Sequence, residues 1–479
     1  MSSSIKKNFL YSSLLTTANY IFPLLTFPYV TRTLGVSNFG ICGYVDSIVN
    51  YFILFSLLGV NIVGIRAIAE KKSSRKDLSE VFSSLLSFNL ISTLLMTVVL
   101  IAVTMLIPKL APYREFLTIG VFKLISTTLL AEWFYKGLEE FKYITIRSVL
   151  VKLSYVIGIL VFVKTKEDTI TYYTLTMLMI AVNSVFNIFH TKKYADFSLS
   201  EIRFSPYWKA MFVFGFYSFI TSMYTSFNIT YLGWTSSDEE VGYYTTATKL
   251  YFIIIALFTA FTGVMMPRMS NLLAKGKFAD FKMYISKSEN LLITFAVPVI
   301  IFITIYAPQI IYVIAGEGFD GAIWPTRIIT PLIIIIGLEQ IFVLQTLSPL
   351  KRDTEIIINS VIGAAVGLIL NLLLVKSFKS TGSSIAWLSS EIVILICSQY
   401  WVTKYYAIRF PLKKIVSTTL YNIPLLAILL LMSNILETNV WTATLVMGSL
   451  TVMYTFALQL YLKNEFVVAL YQKIRRKNV

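Results

Sequence analysis

The sequence predicts an all-α polytopic integral membrane protein with about fourteen transmembrane helices in two related halves. Three observations predict it. The first is composition: 56% of the 479 residues are hydrophobic, 14% are charged, and mean hydropathy is +0.73. That excludes an ordinary soluble protein. The second is the run of apolar segments of about 20 residues, the length that crosses a hydrocarbon core. They follow one another with no room for a soluble domain between them. A membrane barrel would show ten-residue alternating strands instead of continuous runs. The third is an internal repeat. Gly40 and Gly242, Arg66 and Arg268, and Leu90 and Leu292 share an offset of 202 residues. The segments that hold them also match: RTLGVSNFG followed by an apolar run ending GIR, and LGWTSSDEEVGYY followed by an apolar run ending MMPR. Parallel repeats in transporters enclose a midplane site.

The expected spans, in order, are 9–31, 39–65, 81–107, 116–135, 144–163 and 169–190 in the first half. The second half holds 208–233, 241–266, 284–306, 323–346, 355–375 and 382–403, and two more follow at 415–435 and 440–462. The basic stretch His190–Arg203 joins the halves, which gives segments 1–196, 197–408 and 409–479. Pro23, Pro28, Pro298, Pro331 and Pro424 fall within spans and predict bends. Gly363–Gly367 forms a GxxxG pattern, a helix-packing signal. The seven tryptophans lie near span ends, where interfacial anchoring is the expected role.

Charge sets the expected orientation. With the N-terminus inside, and Arg147, Lys209 and Lys287 near span ends counted to the adjoining segment, 30 of the 41 Lys and Arg residues fall on inside segments, seven on outside loops and four (Lys123, Lys152, Lys249 and Arg327) within spans. The positive-inside rule then places both termini in the cytoplasm. The net charge of +16 reflects this topology and attraction to anionic membrane lipid, not nucleic acid. The start, MSSSIKKNFLYSS, lacks a cleavage site and reads as a retained cytoplasmic end. Cys42 and Cys397 suggest neither a disulfide nor a metal site, no cofactor is implied, and His190 reads as a membrane-edge residue.

The chemistry is expected in charges that topology does not explain, because an ionisable group within a span faces protein or a water-filled cavity. These are Asp46, Lys123, Glu132, Lys152, Lys249, Arg327, Glu339 and Glu391, with Arg32, Arg66 and Arg268 at span ends. The deep set is basic in excess and suits an anionic head group. Arg32, Lys123, Lys249, Arg327, Arg66, Arg268 and Lys152 are the substrate-binding candidates. Asp46 is the candidate for ion pairing or for proton or cation coupling. No paired-carboxylate, metal or nucleophile constellation points to an enzyme. Glu139-Glu140 reads as a solvated turn pair.

The segment Ala131–Ser148, AEWFYKGLEEFKYITIRS, closely resembles the link between spans 4 and 5 of Wzx-type polysaccharide flippases. These belong to the multidrug/oligosaccharidyl-lipid/polysaccharide exporter (MOP) superfamily. FPYVTRTLGVSNFG, GIRAIAE and LG…VGYY…MMPR resemble the same family, so the likeness covers nearly the whole chain. It implies a MATE-like fold: two six-helix lobes, a C-terminal pair, and a cationic central cavity that opens alternately to each side. The implied substrate is an undecaprenyl-diphosphate-linked oligosaccharide, moved across a bacterial inner membrane for O-antigen, capsule or exopolysaccharide synthesis. A polysaccharide polymerase, a chain-length regulator, and H+ or Na+ as coupling ion are admitted as partners. A cation-coupled drug antiporter of the same superfamily is the alternative, and a membrane glycosyltransferase or polymerase a remote one.

Overall fold

The computed structural model describes residues 3–435, 439–464 and 467–468, and every regular element among them is helical. Contacts gather the chain into two compact units that meet between Gly242 and Tyr243. Each is described by itself.

The first unit holds α1 (Ser3–Leu57), α2 (Val60–Lys71), α3 (Arg75–Leu106), α4 (Arg114–Leu130), α5 (Glu132–Gly137), α6 (Phe141–Phe162), α7 (Thr169–Thr191), α8 (Trp208–Thr225) and α9 (Phe227–Thr235). At about 1.5 Å per residue an unbroken α1 would be roughly 80 Å long, far more than the ~30 Å of a hydrocarbon core. It is broken at Gly35 (φ 76°, ψ 173°), so two expected spans share one element. That break falls between the expected spans 9–31 and 39–65. The repeat-related glycines touch here: a Cβ on Gly40 would stand 2.9 Å from the backbone nitrogen of Gly242.

The helices of this unit turn apolar side chains outward and small polar ones inward, as membrane packing favours. On α3, Leu94, Met105 and Leu106 are exposed while Ser79, Ser83, Ser84, Ser87 and Asn89 are buried. Three of those serines hold the basic stretch after α7. Ser79, Ser83 and Ser84 accept the backbone N–H groups of Asp196, Ser198 and Arg203 at 2.9, 2.9 and 2.8 Å. Deeper, the hydroxyls of Ser56, Thr93 and Thr128 hydrogen-bond one another where α1, α3 and α4 meet.

The second unit holds most of α10 (Asp238–Ala274), then α11 (Phe278–Ala315), α12 (Ile323–Ile329), α13 (Leu332–Phe342), α14 (Asp353–Tyr406), α15 (Leu412–Tyr421), α16 (Ile423–Ile435) and α17 (Val440–Tyr461). α14, at 54 residues, is broken at Lys379 (φ 50°, ψ −128°) and again carries two expected spans. α10 bends by 42° between Ala256 and Phe258, and α15 and α16 meet at 47° just before Pro424. α12 and α13 part at Thr330-Pro331, yet both residues keep right-handed helical backbone and 320–347 remains one span, so of these two prolines only Pro424 has a bend beside it. α11 leaves helical geometry at Tyr306, beside Pro308 rather than at Pro298. Gly363 packs α14's first half on its second: its missing Cβ makes room for Ile394.

Among the described residues, nine helices are long and apolar enough to cross a membrane, or eleven with the two bent pairs. Two of these carry a double span, and α8–α9 covers 208–235, so the count is compatible with fourteen. The tryptophan expectation needs correction. Trp133 and Trp387 are only 2% and 3% exposed. Trp133 fits a slot left by Gly64, and Trp387 donates to Glu391 at 2.9 Å. Both are packing residues, because their rings face neighbouring helices rather than the membrane surface.

Candidate functional site

In the first unit, α4 carries Lys123 six residues into the helix beyond Phe116-Leu117, at membrane depth. It is 8% exposed. Its Nζ donates to Asp46 Oδ1 at 2.7 Å and to Asn50 Oδ1 at 3.4 Å. Asp46 and Asn50 are one turn apart on the second half of α1, so they present both acceptors to one ammonium. The Tyr173 hydroxyl on α7 donates to the same Asp46 oxygen at 3.0 Å. The α4–α7 contact that brings it there is an edge-on pair of Phe116 and Tyr173, with centroids 5.7 Å apart. Asp46 is thus ion-paired with Lys123. Its side chain keeps 36% exposure, so the pair borders open space.

A second polar knot lies at the AEWFYKGLEE segment. Ala131 takes a left-handed conformation (φ 41°, ψ 38°), which ends α4 and starts the short α5. Trp133, Phe134 and Tyr135 are all buried, against Ile68 and Phe82 among others. Glu132 then bridges two cations, Lys136 and Arg147, each at 3.1 Å. Arg147 also donates to Asn187 and, at 3.0 Å, to Ser148. The Tyr135 hydroxyl meets the Asn187 carbonyl and, at 2.8 Å, Thr191. Arg147 lies near a span end, where a charge reads as an inside anchor. It is a buried intramembrane charge, and its position three residues inside the expected span 144–163 was the available signal.

The remaining candidates of this unit have separate partners. Arg32 is exposed just before the Gly35 break and donates to the Pro28 carbonyl at 3.1 Å. Arg66 is exposed over the Phe214 ring at 5.2 Å. Lys152 on α6 donates to Asn19. His190 stacks on Tyr143 with centroids 3.8 Å apart. Beyond the end of α7, burial and a hydrogen bond to Glu140 push the Tyr194 hydroxyl up to about 12. Glu139 sits in the exposed turn with Lys72 at 3.3 Å.

In the second unit, Arg327 answers a defect. Pro308 has no N–H, so the Thr304 carbonyl, four residues earlier on α11, loses its helical donor. Arg327 Nε supplies one at 3.0 Å, with its guanidinium over the Trp324 ring at 5.2 Å. Only one of its five donors is used there. Lys249 lies half-buried on α10. Arg268 is exposed and lies on the Tyr284 ring, 3.8 Å from its centroid. Glu339 on α13 and Glu391 on α14 are close enough to feel each other's charge. Sequence reading noted both acids but not that they meet. The Tyr251 ring packs on Trp387 at 5.2 Å beside them.

The structure therefore brings Lys123 and Asp46 together and gives the other candidates of each unit partners of their own. Among the described residues, no group of three or more His, Cys, Asp or Glu is placed to hold a metal ion. What the arrangement offers chemically is basic hydrogen-bond donors within long apolar helices.

Comparison with known proteins agrees with that architecture. The chain is 25% identical over 400 residues to the "Putative O-antigen transporter" of Escherichia coli (strain K12), covering 82% of this chain and 95% of that protein. It is 23% identical over 216 residues to the "Probable low-salt glycan biosynthesis flippase Agl15" of Haloferax volcanii, covering 43% and 44%. Among solved structures, the lipid II flippase MurJ in an inward closed conformation matches with a TM-score of 0.76 at 13% identity, over 95% of this chain and 99% of that one. An inward-facing multidrug resistance MATE transporter of the MOP superfamily matches with a TM-score of 0.64 at 13% identity, over 83% and 99%. The fold is thus shared with MurJ and MATE transporters. The family described as polysaccharide biosynthesis protein matches residues 5–273, more than half of the sequence, and the chain belongs to that family.

Proposed function

We propose that this protein is a flippase. It would move undecaprenyl-diphosphate-linked oligosaccharide units from the cytoplasmic to the outer leaflet of a bacterial inner membrane, for O-antigen, capsule or exopolysaccharide synthesis. The observation that carries the reading is Lys123, a buried cation in the middle of a transmembrane helix whose Asp46 partner borders open space. Lys249 and Arg327 add cations within spans of the second unit, and Arg32 adds one at a span end. Family membership and the names of the relatives support the substrate class.

The physical task is clear. Sugars and a diphosphate do not cross hydrocarbon cheaply, because their bonds to water are lost unreplaced. Basic donors inside the protein replace that water, while the polyprenyl tail stays in the bilayer. The site then opens to one leaflet at a time. The Lys/Arg asymmetry supports both termini in the cytoplasm. A second reading, a cation-coupled antiporter of small molecules, draws on Glu391, an acid 3% exposed within a span that accepts from Trp387 at 2.9 Å.

The test follows the lipid-linked sugar. In a deletion strain, the undecaprenyl-diphosphate oligosaccharide stays out of reach of a membrane-impermeant sugar-labelling probe on spheroplasts, and the wild-type gene restores labelling. Replacing Arg32, Lys123, Lys249 and Arg327 together with Gln, at normal protein level, lowers labelling about tenfold or more, as expected from losing several charge contacts. Full labelling in that variant refutes the cationic site. Full labelling in the deletion strain, with no other flippase present, turns the assignment to the antiporter.

A further inference from the structure

α6 and α7 leave between them a furrow of about 700 Å³. Leu150, Leu178, Val182 and Phe186 line it and are all well exposed, so along most of its length it opens onto the hydrocarbon. One end is different. There the lining passes to Lys142, Arg147, His190 and Lys193, with Glu140 the acid of the set. Arg147 is committed to Glu132 and Asn187. That leaves Lys142 and Lys193, both exposed, as the cations facing an occupant. Tyr143 and His190, stacked in parallel, make a flat floor beside them.

The length of the furrow selects the occupant. From Lys142 to Tyr155 it follows thirteen residues of α6, about 20 Å at ~1.5 Å per residue. One leaflet with its headgroup layer is about 20–22 Å thick, whereas a partner's transmembrane helix needs the full ~30 Å core. The occupant is therefore a leaflet-length amphiphile with an anionic head at the lysines. A single furrow takes a single chain, whereas a glycerophospholipid brings two. Two lysines match the charge of a diphosphate better than that of one phosphodiester.

We infer that the α6–α7 furrow is a docking site for the polyprenyl diphosphate part of the substrate, with the diphosphate at Lys142 and Lys193 and the first isoprene units between the helices. This rests on the flippase reading and adds to it a place where the lipid is held outside the charged positions of the Lys123 cluster.

The experiment measures lipid binding to the purified full-length protein by native mass spectrometry, with undecaprenyl diphosphate, undecaprenol and phosphatidylglycerol as probes. Wild type binds the diphosphate about tenfold or more tightly than the alcohol. Lys142→Gln with Lys193→Gln lowers that preference at least severalfold and leaves alcohol binding unchanged, and the Arg pair at the same positions restores it. Val182→Trp, which fills the furrow, weakens both ligands, and Leu178→Trp repeats the test should that variant fold poorly. Unchanged diphosphate binding in the Gln pair, or equal competition by phosphatidylglycerol, overturns the furrow assignment but leaves the flippase reading in place. Failure of wild type to bind the diphosphate at all overturns both.

Discussion

At the scale of single residues, the intramembrane charges divide by what they answer. Lys123 and Asp46 answer each other, with Asn50 and Tyr173 completing the set. Removing either partner leaves a charge facing a low-dielectric surround, whereas removing both is cheaper. We expect Lys123→Met and Asp46→Leu each to lower stability, and the double variant to cost less than their sum. The coupling energy should be about 1–2 kcal/mol, measured as a double-mutant cycle in detergent denaturation. Arg327 answers the carbonyl of Thr304 that Pro308 leaves without a donor. Arg327→Gln should cost about 1–2 kcal/mol in wild type and clearly less with Pro308→Ala, where the helix regains its own N–H. Equal costs in the two backgrounds would remove this role and leave Arg327 to the substrate alone.

At the scale of elements, two glycines set how helices turn and approach. Gly35 holds φ 76° and ψ 173°, a region open to glycine almost alone, and the turn between the first two spans depends on it. Nothing crowds it closer than the Lys166 side chain at 3.6 Å, so the cost of Gly35→Ala is conformational. It should destabilise by about 1–3 kcal/mol. Gly263, helical and with open space where a Cβ would point, is the control: Gly263→Ala should be neutral or stabilise by up to ~1 kcal/mol. Gly64 works by space rather than by backbone. A Cβ there would stand 2.7 Å from Trp133 Cδ2. Gly64→Ala should lower the melting temperature by an overpacking cost of about 1–3 kcal/mol. Trp133→Leu in the same chain should recover part of it, and no recovery would mean the clash lies elsewhere. The EWFYKG segment, the most family-specific stretch of the sequence, is on this view a packing knot: its aromatic side chains are buried, and its Glu132 ties Lys136 and Arg147.

At the scale of the molecule, the membrane dictates the design. Helices satisfy their own backbone, so a chain with only short connections has nowhere to place function except in side chains that face protein inside the bilayer. The serines of α3 show the same inside-out logic used structurally, gripping the connection after α7 by three backbone N–H groups. Replacing Ser79, Ser83 and Ser84 together with Ala should leave those donors unsatisfied. Limited proteolysis should then cut within 196–203 at least several times faster than in wild type, since each lost partner of a buried donor costs about 1–3 kcal/mol. An unchanged cleavage rate would show that the connection is held by other contacts.

Much of this was legible in the chain itself, because hydropathy and length act locally. An apolar run of about 20 residues is a span whatever surrounds it. The span limits 169–190 and 440–462 fall within a residue of α7 and α17. The break between the first two spans, the bend beside Pro424 and the Gly363 contact are equally visible, since Gly and Pro act on their own backbone. The tertiary structure alone decided which charges meet. Asp46 finds Lys123 at a separation of 77 residues, Arg147 finds Asn187 at 40, and Glu391 finds Glu339 on another helix. It also turned Trp133 and Trp387 from interface to core and gave Arg327 an orphaned carbonyl to serve. A sequence states how deep a residue lies in the membrane, but the direction it faces around its helix, and so its partner, is fixed only when the other helices pack against it.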